Sequence, residues 1–568
     1  MKYKWNLKPL PDESSVLRLC SEIYKTAKPA QRSIVQLLLQ RKIETYEQAK
    51  KFFNPSLKDL HNPFEMKDMD KAVQRILQAI ENQENILIYG DYDVDGTTAV
   101  SLFYLFLSEL YNNVTCYVPD RYKEGYGVSF QGINYASDNN ISLIITLDCG
   151  IKAIDKVDYA KEKGIDVIVC DHHTPSSELP KAVAILNPKQ KDCSYPYDEL
   201  CGCGIAFKLA QAINIVLERP ESFVFKYLDL VAIAIAADIV PVTGENRILL
   251  AQGLSLINEK PSIPVRKLLQ TAKQPYKTTD LVFVVAPRIN AAGRIAHANL
   301  VIELLTQKQE KEIISKAYEI EYLNDKRKRL DEEITQEALV QIIENQEENK
   351  KTTVVFQPFW HKGVIGIVAS RLIENYYRPT LVFTKNEDKL VASARSVSGF
   401  NIYNALEACQ EYLEQFGGHK YAAGLTIKEE NYNKFKEAFE RIVSQTIDKE
   451  LLEQRINIDL EIKLEDVSSI FFETLKRFAP FGPENMTPVF LSKGVKAKDF
   501  RTVGDGSHLR IVLTNIEETV SFVAIGFGLA DKKTILEKGQ PFDIVYQLQE
   551  NIWNGRTSIQ MRECLSCN

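Results

Sequence analysis

Acidic residues follow four short apolar runs of this 568-residue chain, and they are the side chains whose types and spacing could do chemistry. Asp91, Asp93 and Asp95 follow residues 86–90, Asp148 follows residues 144–147, Asp171, His172 and His173 follow residues 167–170, and Asp238 follows residues 233–237. Clustered carboxylates repel one another and are costly to desolvate unless they share a cation. The four runs therefore predict one divalent-metal site.

The first acidic group has two simpler interpretations. An aspartate just after a strand is often only a helix cap or a turn residue. The order Asp91-x-Asp93-x-Asp95-Gly96 also resembles the opening of a calcium-binding EF-hand loop. However, the glutamate that such a loop places about six residues after its glycine is absent, because residues 102–104 are apolar. Three alternating acids in one turn favour a different metal site.

The histidine pair narrows the choice of metal. The chain has 7 histidines, and His172 and His173 are adjacent, directly after an acid. Aspartate and histidine ligands without a thiolate suit Mn²⁺ or Mg²⁺ better than a structural zinc ion. Two such cations held close together can activate water and stabilise both apical oxygens in a phosphoester displacement.

Buried parallel strands are the elements that would bring these acids together. Short apolar runs between helical patterns are typical of such strands, and parallel sheets bind their ligands beyond the carboxyl ends of the strands. We therefore expect an α/β fold with a parallel-sheet catalytic domain over residues 81–301, including a strand at 233–237. A mainly helical segment, residues 1–80, precedes it, and we expect that segment to associate with the catalytic domain.

Three further units are predicted after the catalytic domain. Residues 302–350 contain neither glycine nor proline, which predicts a long linker helix. Residues 351–447 mix strand runs with glycine-rich loops and predict a second α/β domain. Alternating patterns at 509–513 and 542–546, with a hairpin signal at Asn554-Gly555, predict a small β-barrel over residues 448–568.

Composition excludes several classes of protein. The net charge of -6 gives no overall basic signature, so any nucleic-acid contact must be local. The 10 cysteines show no disulfide framework, and the pairs Cys201/Cys203 and Cys564/Cys567 lack a second ligand pair at zinc-site spacing. No apolar run approaches the roughly 20 residues of a membrane span, and the N-terminus lacks a signal core. We expect a cytoplasmic protein without a membrane partner.

A set of motifs in fixed order runs along the chain: residues 88–96, 124–127, 148–150, the Asp-His-His triplet at 171–173, and residues 288–294, 360–371, 393–396 and 416–424. The ordered set resembles the DHH phosphoesterase superfamily and, within it, the RecJ-type single-strand-specific DNA exonucleases. The resemblance implies that the first domain is a DHH domain, the second a DHHA1 domain, and the barrel an OB-fold that binds single strands.

The resemblance also implies a ligand set. Two divalent cations, Mn²⁺ or Mg²⁺, would be held by Asp93, Asp95, Asp148, His172 and Asp238, with Asp148 as the bridge. The catalytic shell would be completed by Asp91, Asp171 and His173, which would shape it or contact the scissile phosphate. Tyr89 stands where some members of the superfamily carry a histidine ligand, so the full coordination of one metal stays open.

The substrate contacts follow from the same resemblance. Ser393 and Arg395 match positions that hold a terminal 5′ phosphate, joined by Arg121, and Tyr126 matches one that stacks on a base. Further contacts are implied at Arg288, Asn290, Arg294, His361, Arg371, Gly417, Gly418 and His419. Glycines let phosphate approach the backbone, and stacking with arginine contacts holds a single strand without sequence preference.

The implied activity is exonucleolytic degradation of single-stranded DNA from the 5′ end to nucleotide 5′-monophosphates, in DNA repair and recombination. A single-strand-binding protein and a helicase would be partners of a monomeric enzyme. One alternative is a phosphodiesterase of the same superfamily that acts on short RNA or cyclic dinucleotides, which the long C-terminal extension disfavours. Another is a catalytically inactive replication scaffold, which would have no need for so many uncompensated carboxylates.

Overall fold

A parallel sheet flanked by helices, a second mixed sheet and a C-terminal β-barrel make up the computed structural model, which describes residues 3–553, 556–562 and 565–566. The predicted α/β class is confirmed, as are the long helix and the barrel. Among the described residues, no helix combines the length and the apolar character needed to cross a bilayer.

The helices of the segment before the catalytic sheet pack into different hydrophobic cores. Its elements are β1 (Lys4–Leu7), α1 (Glu13–Tyr24), α2 (Pro29–Leu39), α3 (Tyr46–Phe53) and α4 (Met69–Glu81). Helix α4 buries Met69 and Ile76 in the core of the catalytic domain. Helix α2 instead buries Leu37 and Leu38 against the C-terminal unit. The apolar face of each helix thus decides which unit it joins.

The catalytic domain contains a five-stranded, wholly parallel sheet of order β3-β2-β4-β5-β6. Its elements are β2 (Asn85–Gly90), α5 (Val94–Ser108), β3 (Val114–Tyr117), α6 (Phe130–Asp138), β4 (Ile141–Leu147), α7 (Ile154–Glu162), β5 (Asp166–Cys170), β6 (Ala184–Leu186), α8 (Gly202–Val216), α9 (Ser222–Phe225), α10 (Leu228–Ala237), α11 (Gly244–Glu259), α12 (Ile263–Leu268), α13 (Thr278–Asp280), a π-helical turn (Leu281–Val285), α14 (Ala286–Ile295) and α15 (Asn299–Thr306). Alternate residues of β2 enter opposite cores, Ile88 on one face and Leu87 on the other, so helices cover both faces.

The strand predicted at residues 233–237 is wrong, because these residues form the second half of helix α10. A short apolar run cannot be assigned to a strand or a buried helix by periodicity alone. Here alanine alternates with isoleucine, and alanine has the highest helix propensity. Helix α10 is apolar on every side because it packs against α5, α8 and α11. Asp238 therefore follows a helix and not a strand of the sheet.

The predicted linker is confirmed as a single 35-residue helix, α16 (Glu310–Glu344). It spans about 50 Å at the usual helical rise. Its first half packs on α12, α14 and α15 of the catalytic domain, and it also contacts β7 and α17 of the next domain. It begins later than residue 302, because α15 ends at Thr306.

The second domain is built on a five-stranded sheet of order β10-β11-β9-β8-β7, in which only β7 and β8 are parallel. Its elements are β7 (Thr353–Phe356), α17 (Ile365–Asn375), β8 (Thr380–Asn386), β9 (Lys389–Arg395), α18 (Ile402–Glu407), β10 (Leu413–Gly418), β11 (Ala422–Lys428) and α19 (Tyr432–Thr446).

The C-terminal strands close into a barrel through the pairings β14–β15, β15–β16, β16–β18, β18–β17 and β17–β14. The elements of this unit are β12 (Arg455–Ile458), β13 (Leu460–Glu461), α20 (Ser469–Lys476), β14 (Phe490–Val503), β15 (His508–Thr514), β16 (Ser521–Gly526), α21 (Lys533–Leu536), β17 (Phe542–Trp553), β18 (Arg556–Arg562) and β19 (Leu565–Ser566). Five closed strands are the architecture of an OB-fold. The predicted hairpin signal at Asn554-Gly555 and the residues Cys564 and Cys567 lie outside the described residues.

A buried arginine fastens the barrel unit to the catalytic domain. Arg247 of α11 donates hydrogen bonds to the carbonyl oxygens of Phe52, Phe478, Pro480 and Ala479 at 2.9–3.2 Å. These carbonyls lie at the ends of α3 and of the turn after α20, so one guanidinium joins three parts of the chain.

Candidate metal centre and arginine cluster

The predicted acids meet at one edge of the parallel sheet because the strands that precede them are in register. Gly90 of β2 pairs with Leu147 of β4, and Leu147 pairs with Cys170 of β5. The next residue after each strand is an aspartate, at positions 91, 148 and 171 respectively. Parallel strands thus bring acids that are distant along the chain to the same edge.

His172 lies at the centre of this group. Its Nε2 atom is 3.2 Å from Oδ1 of Asp148, 3.5 Å from Oδ2 of Asp238 and 3.8 Å from Oδ2 of Asp95. Asp95, His172 and Asp238 form one set of potential metal ligands, and Asp148, His172 and His173 form a second, with all ligand atoms of a set within 4.8 Å of one another. The two sets share His172.

Several polar atoms in this group are buried without a partner. Within the described chain, no hydrogen bond reaches Oδ2 of Asp91, Oδ1 of Asp148, Oδ2 of Asp238 or either ring nitrogen of His172. Buried polar atoms are almost always paired, and a convergent group of unpaired acceptors is what a cation site requires. The residues present therefore fit divalent cations.

Burial and mutual repulsion perturb these groups strongly. Burial together with Asp95 and Asp93 raises the pKa of Asp238 to about 9, and burial together with Asp93 raises the pKa of Asp95 to about 7. The pKa of Asp148 is raised well above its usual value by the same two causes, burial and the neighbouring carboxylates. Burial lowers the pKa of His172 to about 3, so its imidazole is neutral and one of its ring nitrogens is free to act as a ligand.

Backbone groups hold two of the acids in place. Asp95 accepts hydrogen bonds from the N–H groups of Gly202 and Cys203, at the start of α8, at 2.6 and 2.8 Å. A helix N-terminus favours a negative charge at this position. Gly202 must be a glycine, since a Cβ atom there would lie 2.5 Å from Cβ of Asp148. Asp93 caps α5 by accepting from the N–H of Gly96 at 2.9 Å.

Asp171 orients His173. Its Oδ1 lies 2.7 Å from Nδ1 of His173, and its Oδ2 accepts from the N–H of Ile151 at 2.9 Å. Although burial opposes both shifts, the contact between Asp171 and His173 lowers the pKa of the acid and raises that of the histidine. The other ring nitrogen of His173 lies 3.1 Å from the hydroxyl of Tyr126. Tyr126 thereby joins the edge of the centre.

Asp91 and Tyr89, at the end of β2, both form hydrogen bonds with residues 127–129. Asp91 is buried, and its Oδ1 accepts from the N–H of Gly127 at 3.3 Å. The hydroxyl of Tyr89 donates to the carbonyl oxygen of Gly127 at 3.0 Å and accepts from the N–H of Ser129 at 3.1 Å. Tyr89 is thus engaged in the wall of the site and does not offer a ligand in place of histidine.

Three arginines from distant parts of the chain meet where the two α/β domains join. Burial and the charges of Arg121 and Arg395 lower the pKa of Arg294 to about 10, and burial and Arg121 lower the pKa of Arg395. Ser393 accepts from Nη1 of Arg395 at 3.3 Å, and Arg121 lies 4.7 Å over the ring of Tyr92. Because the positive charges of these arginines repel one another, the cluster favours the binding of an anion.

Glycines keep the floor of this cluster open. A Cβ atom on Gly366 would lie 2.9 Å from Oγ of Ser393 and 3.0 Å from Nη2 of Arg395. Across the sheet, Ser393 pairs with Gly424, which pairs with Gly417. No described atom lies within 4 Å of a Cβ position on Gly417. Gly417 is followed along the chain by Gly418 and by His419, which is exposed.

Other predicted substrate contacts are engaged within the protein. Arg288 is buried and donates to Glu321, Val284 and Thr271 at 2.6–3.0 Å through all three nitrogens, which fixes α14 against α16. Arg371 forms an ion pair with the buried Asp331 at 2.7 Å. Nδ1 of His361 accepts from the N–H of Gly363 at 3.1 Å, and Asn290 is half-buried on α14.

Sequence reasoning missed Arg327 of the linker helix. Its charge lowers the pKa of Arg294, and its Nη2 donates to Asn324 at 2.7 Å. Asn324 and Asp331 are polar residues on the buried face of α16, where the helical pattern predicts apolar ones. That departure was the available signal that the linker contributes to a polar site.

Three family models together match most of the chain. Residues 85–235 match the DHH family, N-terminal domain, residues 349–445 match the DHHA1 domain, and residues 458–563 match the RecJ OB domain. A Bacillus subtilis protein named single-stranded-DNA-specific exonuclease RecJ is 36% identical over 566 residues, which cover 99% of this chain and 70% of that protein. Its Haemophilus influenzae namesake is 32% identical and is covered to 92%, with 89% of this chain matched.

Solved structures agree with these matches. RecJ from Thermus thermophilus in complex with Mn²⁺ superposes with a TM-score of 0.82 at 26% identity and covers 99% of this chain and 78% of that one. A structure of exonuclease RecJ bound to manganese has a TM-score of 0.61 at 31% identity and covers 67% of this chain and 96% of that one.

Proposed function

Because the chain belongs to the RecJ family of single-stranded-DNA-specific exonucleases, we propose that it degrades single-stranded DNA from the 5′ end in a reaction that needs divalent cations. The products would be nucleotide 5′-monophosphates. The observation that carries this proposal is the convergence of unpaired buried atoms of Asp148, His172 and Asp238 at the edge of the parallel sheet.

We propose that Asp93, Asp95, Asp148, His172 and Asp238 would hold the two cations, and that Asp148 would be the bridge. When bound there, Mn²⁺ or Mg²⁺ would stabilise the phosphoryl oxygens as a Lewis acid and would lower the pKa of water, so that hydroxide becomes available to attack phosphorus. Asp95 is held by the start of α8 and His172 by the end of β5, so both ligands project from rigid elements. Divalent charge would also relieve the repulsion that raises the carboxyl pKa values.

His173 is suited to contact the scissile phosphate. Its Nδ1 donates to Asp171, which fixes the ring and raises its pKa, and its Nε2 is directed towards the hydroxyl of Tyr126. A protonated imidazole held in this way offers a charge-assisted hydrogen bond to a phosphate oxygen. In this proposal Asp171 and Asp91 shape the shell around the metals or contact the scissile phosphate.

The arginine cluster supports recognition of the 5′ end. Arg395 donates to Ser393, and the charges of Arg121 and Arg395 both act on Arg294, so three fork-shaped donors are available to a terminal phosphate, which carries more charge than an internal one. Tyr126 would stack on a base. The cross-strand neighbours Ser393, Gly424 and Gly417 would let the DNA backbone lie close to the sheet. Arg371, His361, Asn290 and His419 would line the path, whereas Arg288 would act by fixing α14.

The C-terminal barrel supports binding of longer strands, because OB-folds hold several nucleotides through charge and stacking. We further propose a monomer that acts in the cytoplasm in DNA repair and recombination, with a single-strand-binding protein and a helicase as partners. The eight described cysteines that are free thiols accord with a reducing compartment. The barrel disfavours cyclic dinucleotides as substrates, and the unpaired acids disfavour an inactive scaffold.

Labelled oligonucleotides test this function directly. The protein is incubated with 5′-phosphorylated single-stranded DNA, the same sequence as blunt duplex, and the RNA equivalent, each with Mn²⁺ or with chelator. We expect mononucleotides from the single strand with Mn²⁺, at least about 100-fold slower loss of the duplex, and no turnover in chelator. Equal hydrolysis of duplex and single strand, or faster hydrolysis of RNA, would refute the proposal.

A further inference from the structure

Ile239 has a backbone conformation that is costly for its side chain. It directly follows Asp238, has φ +63° and is 76% exposed. Twelve non-glycine residues of the described chain have positive φ, and the other eleven are Lys, Asp, Asn, Gln or Glu. A β-branched residue with positive φ is a genuine outlier, because its Cβ substituents crowd the backbone.

The position makes the choice of residue more unusual. Ile239 comes just after the end of α10, whose last turn is closed by the N–H of Asp238 donating to the carbonyl of Ala234 at 2.9 Å. Left-handed residues at this place are ordinarily glycine or asparagine, which adopt the conformation with little strain. A turn that served only to connect α10 with α11 would therefore be more stable with glycine.

Anchors on both sides hold the strained residue. Asp238 is fixed by the end of α10, and Val240 and Val242 are buried on the other side. The N–H of Val242 also donates to the carbonyl of Pro483, in the turn that Arg247 fastens, at 2.8 Å. Strained residues persist when their surroundings overdetermine them, and they concentrate at ligand-binding sites.

The side chain of Ile239 is not one of these anchors, and it lies next to the candidate metal centre. Oδ2 of Asp238 is 3.5 Å from Nε2 of His172, and the adjacent isoleucine is turned to solvent. We propose that Ile239 packs against a nucleobase beside the scissile phosphate and positions it for cleavage. This inference rests on the proposed nuclease function. An aliphatic contact is non-directional, so it would serve every base equally.

Replacement of Ile239 by glycine or alanine separates the backbone from the side chain. Ile239→Gly keeps the left-handed conformation and removes the side chain, whereas Ile239→Ala removes most of the side chain but keeps the Cβ atom and therefore part of the strain. Both variants should raise KM for single-stranded DNA by about 10-fold, with a smaller change in kcat. Ile239→Gly should also raise the thermal midpoint by about 1–3 °C. Mn²⁺ affinity, measured by calorimetry, should not change.

A substrate that lacks the base identifies the contact. An oligonucleotide with abasic sites at its first two positions should be a poorer substrate for the wild-type protein by about the same factor as either variant. The variants should lose little more on that substrate, because the contact is already absent. Ile215→Ala, a half-exposed isoleucine in the last turns of α8, is the matched control and should behave as wild type.

The outcomes distinguish this inference from the function beneath it. If the wild-type protein degrades intact strands and Ile239→Gly has the same KM, or if the variants and the abasic substrate show additive defects, the nucleobase contact is refuted and the nuclease function stands. If the wild-type protein binds strands without degrading them, the nuclease function fails, and the same comparison is made on dissociation constants from fluorescence anisotropy. A wild-type protein that neither binds nor degrades strands overturns both.

Discussion

The Nε2 atom of His172 lies 3.2 Å from Oδ1 of Asp148, yet neither atom takes part in a hydrogen bond within the described chain. Because burial lowers the pKa of His172 to about 3, the ring is neutral and the pair is not an ion pair. With the imidazole proton on Nδ1 and the acid ionised, both atoms offer a lone pair to the same space. A cation between them would satisfy both, and this relationship is the basis of the first two predictions.

Loss of Asp148, the acid that we propose as the bridge, should abolish turnover. We expect Asp148→Ala to reduce kcat at least about 1000-fold, because nucleophile generation and charge neutralisation both fail. Binding of single-stranded DNA, which we assign to the arginine cluster and the barrel, should fall much less. Rates by end-labelled digestion and affinities by anisotropy measure the two effects. The exposed Asp155→Ala is the control. If the turnover of Asp148→Ala is within a few-fold of the wild-type value, Asp148 does not bridge the two cations.

Metal binding should strengthen as the pH rises. The pKa of Asp238 is about 9 and that of Asp95 about 7 in the metal-free protein, so a cation must displace protons. Carboxyl groups with raised pKa stabilise the folded state below their unfolded pKa, and this stability is lost as the pH rises through the folded pKa. The metal-free protein should therefore lose thermal stability between about pH 4 and 9.

The measurement is the thermal midpoint with Mn²⁺ and with chelator at several pH values from 6 to 9. We expect the difference between the two midpoints to grow with pH. Asp238→Asn should flatten the metal-free profile, because it removes the group with the higher pKa. A difference that is constant over this range would contradict proton displacement at Asp238 and Asp95.

Removal of Arg395 should impair recognition of the end and leave the chemistry intact. Arg395→Ala should lower the preference for 5′-phosphorylated over 5′-hydroxyl substrates by about 10-fold or more, since a charge-assisted bidentate contact is lost. Arg395→Lys should retain part of the preference, because it keeps the charge without the fork. Paired labelled-end digestions give the ratio for each variant. An unchanged ratio in Arg395→Ala would place the phosphate pocket elsewhere.

The barrel should contribute affinity in proportion to strand length. Deletion after residue 450 is unsuitable as a test, because Leu37 and Leu38 share a core with the barrel unit and would be uncovered. Reversal of two charges on β14, Lys498→Glu with Arg501→Glu, should instead weaken binding to long strands and reduce the dependence of that binding on salt. Oligonucleotides that reach only the catalytic domain serve as the internal control. Equal defects on long and short strands would exclude the barrel as the length-dependent site.

The sequence alone determined the centre of the site. Asp91, Asp148 and Asp171 could be placed together because each ends an apolar run of a parallel sheet, and the carboxyl ends of parallel strands share one edge. The types of the side chains, carboxylate and imidazole without thiolate, also determined the class of metal. Both inferences depend on local pattern and on chemistry that does not require knowledge of packing.

Only the tertiary structure decided what reaches that centre from elsewhere. Asp238 arrives from a buried helix that no periodicity distinguishes from a strand, and Arg288, in a motif with Arg294, is turned into the protein while Arg294 joins Arg395 across a domain boundary. The strain at Ile239 is likewise invisible in the sequence. These features depend on how elements distant along the chain pack, and a side chain's neighbours across such contacts leave no regular spacing in its own segment.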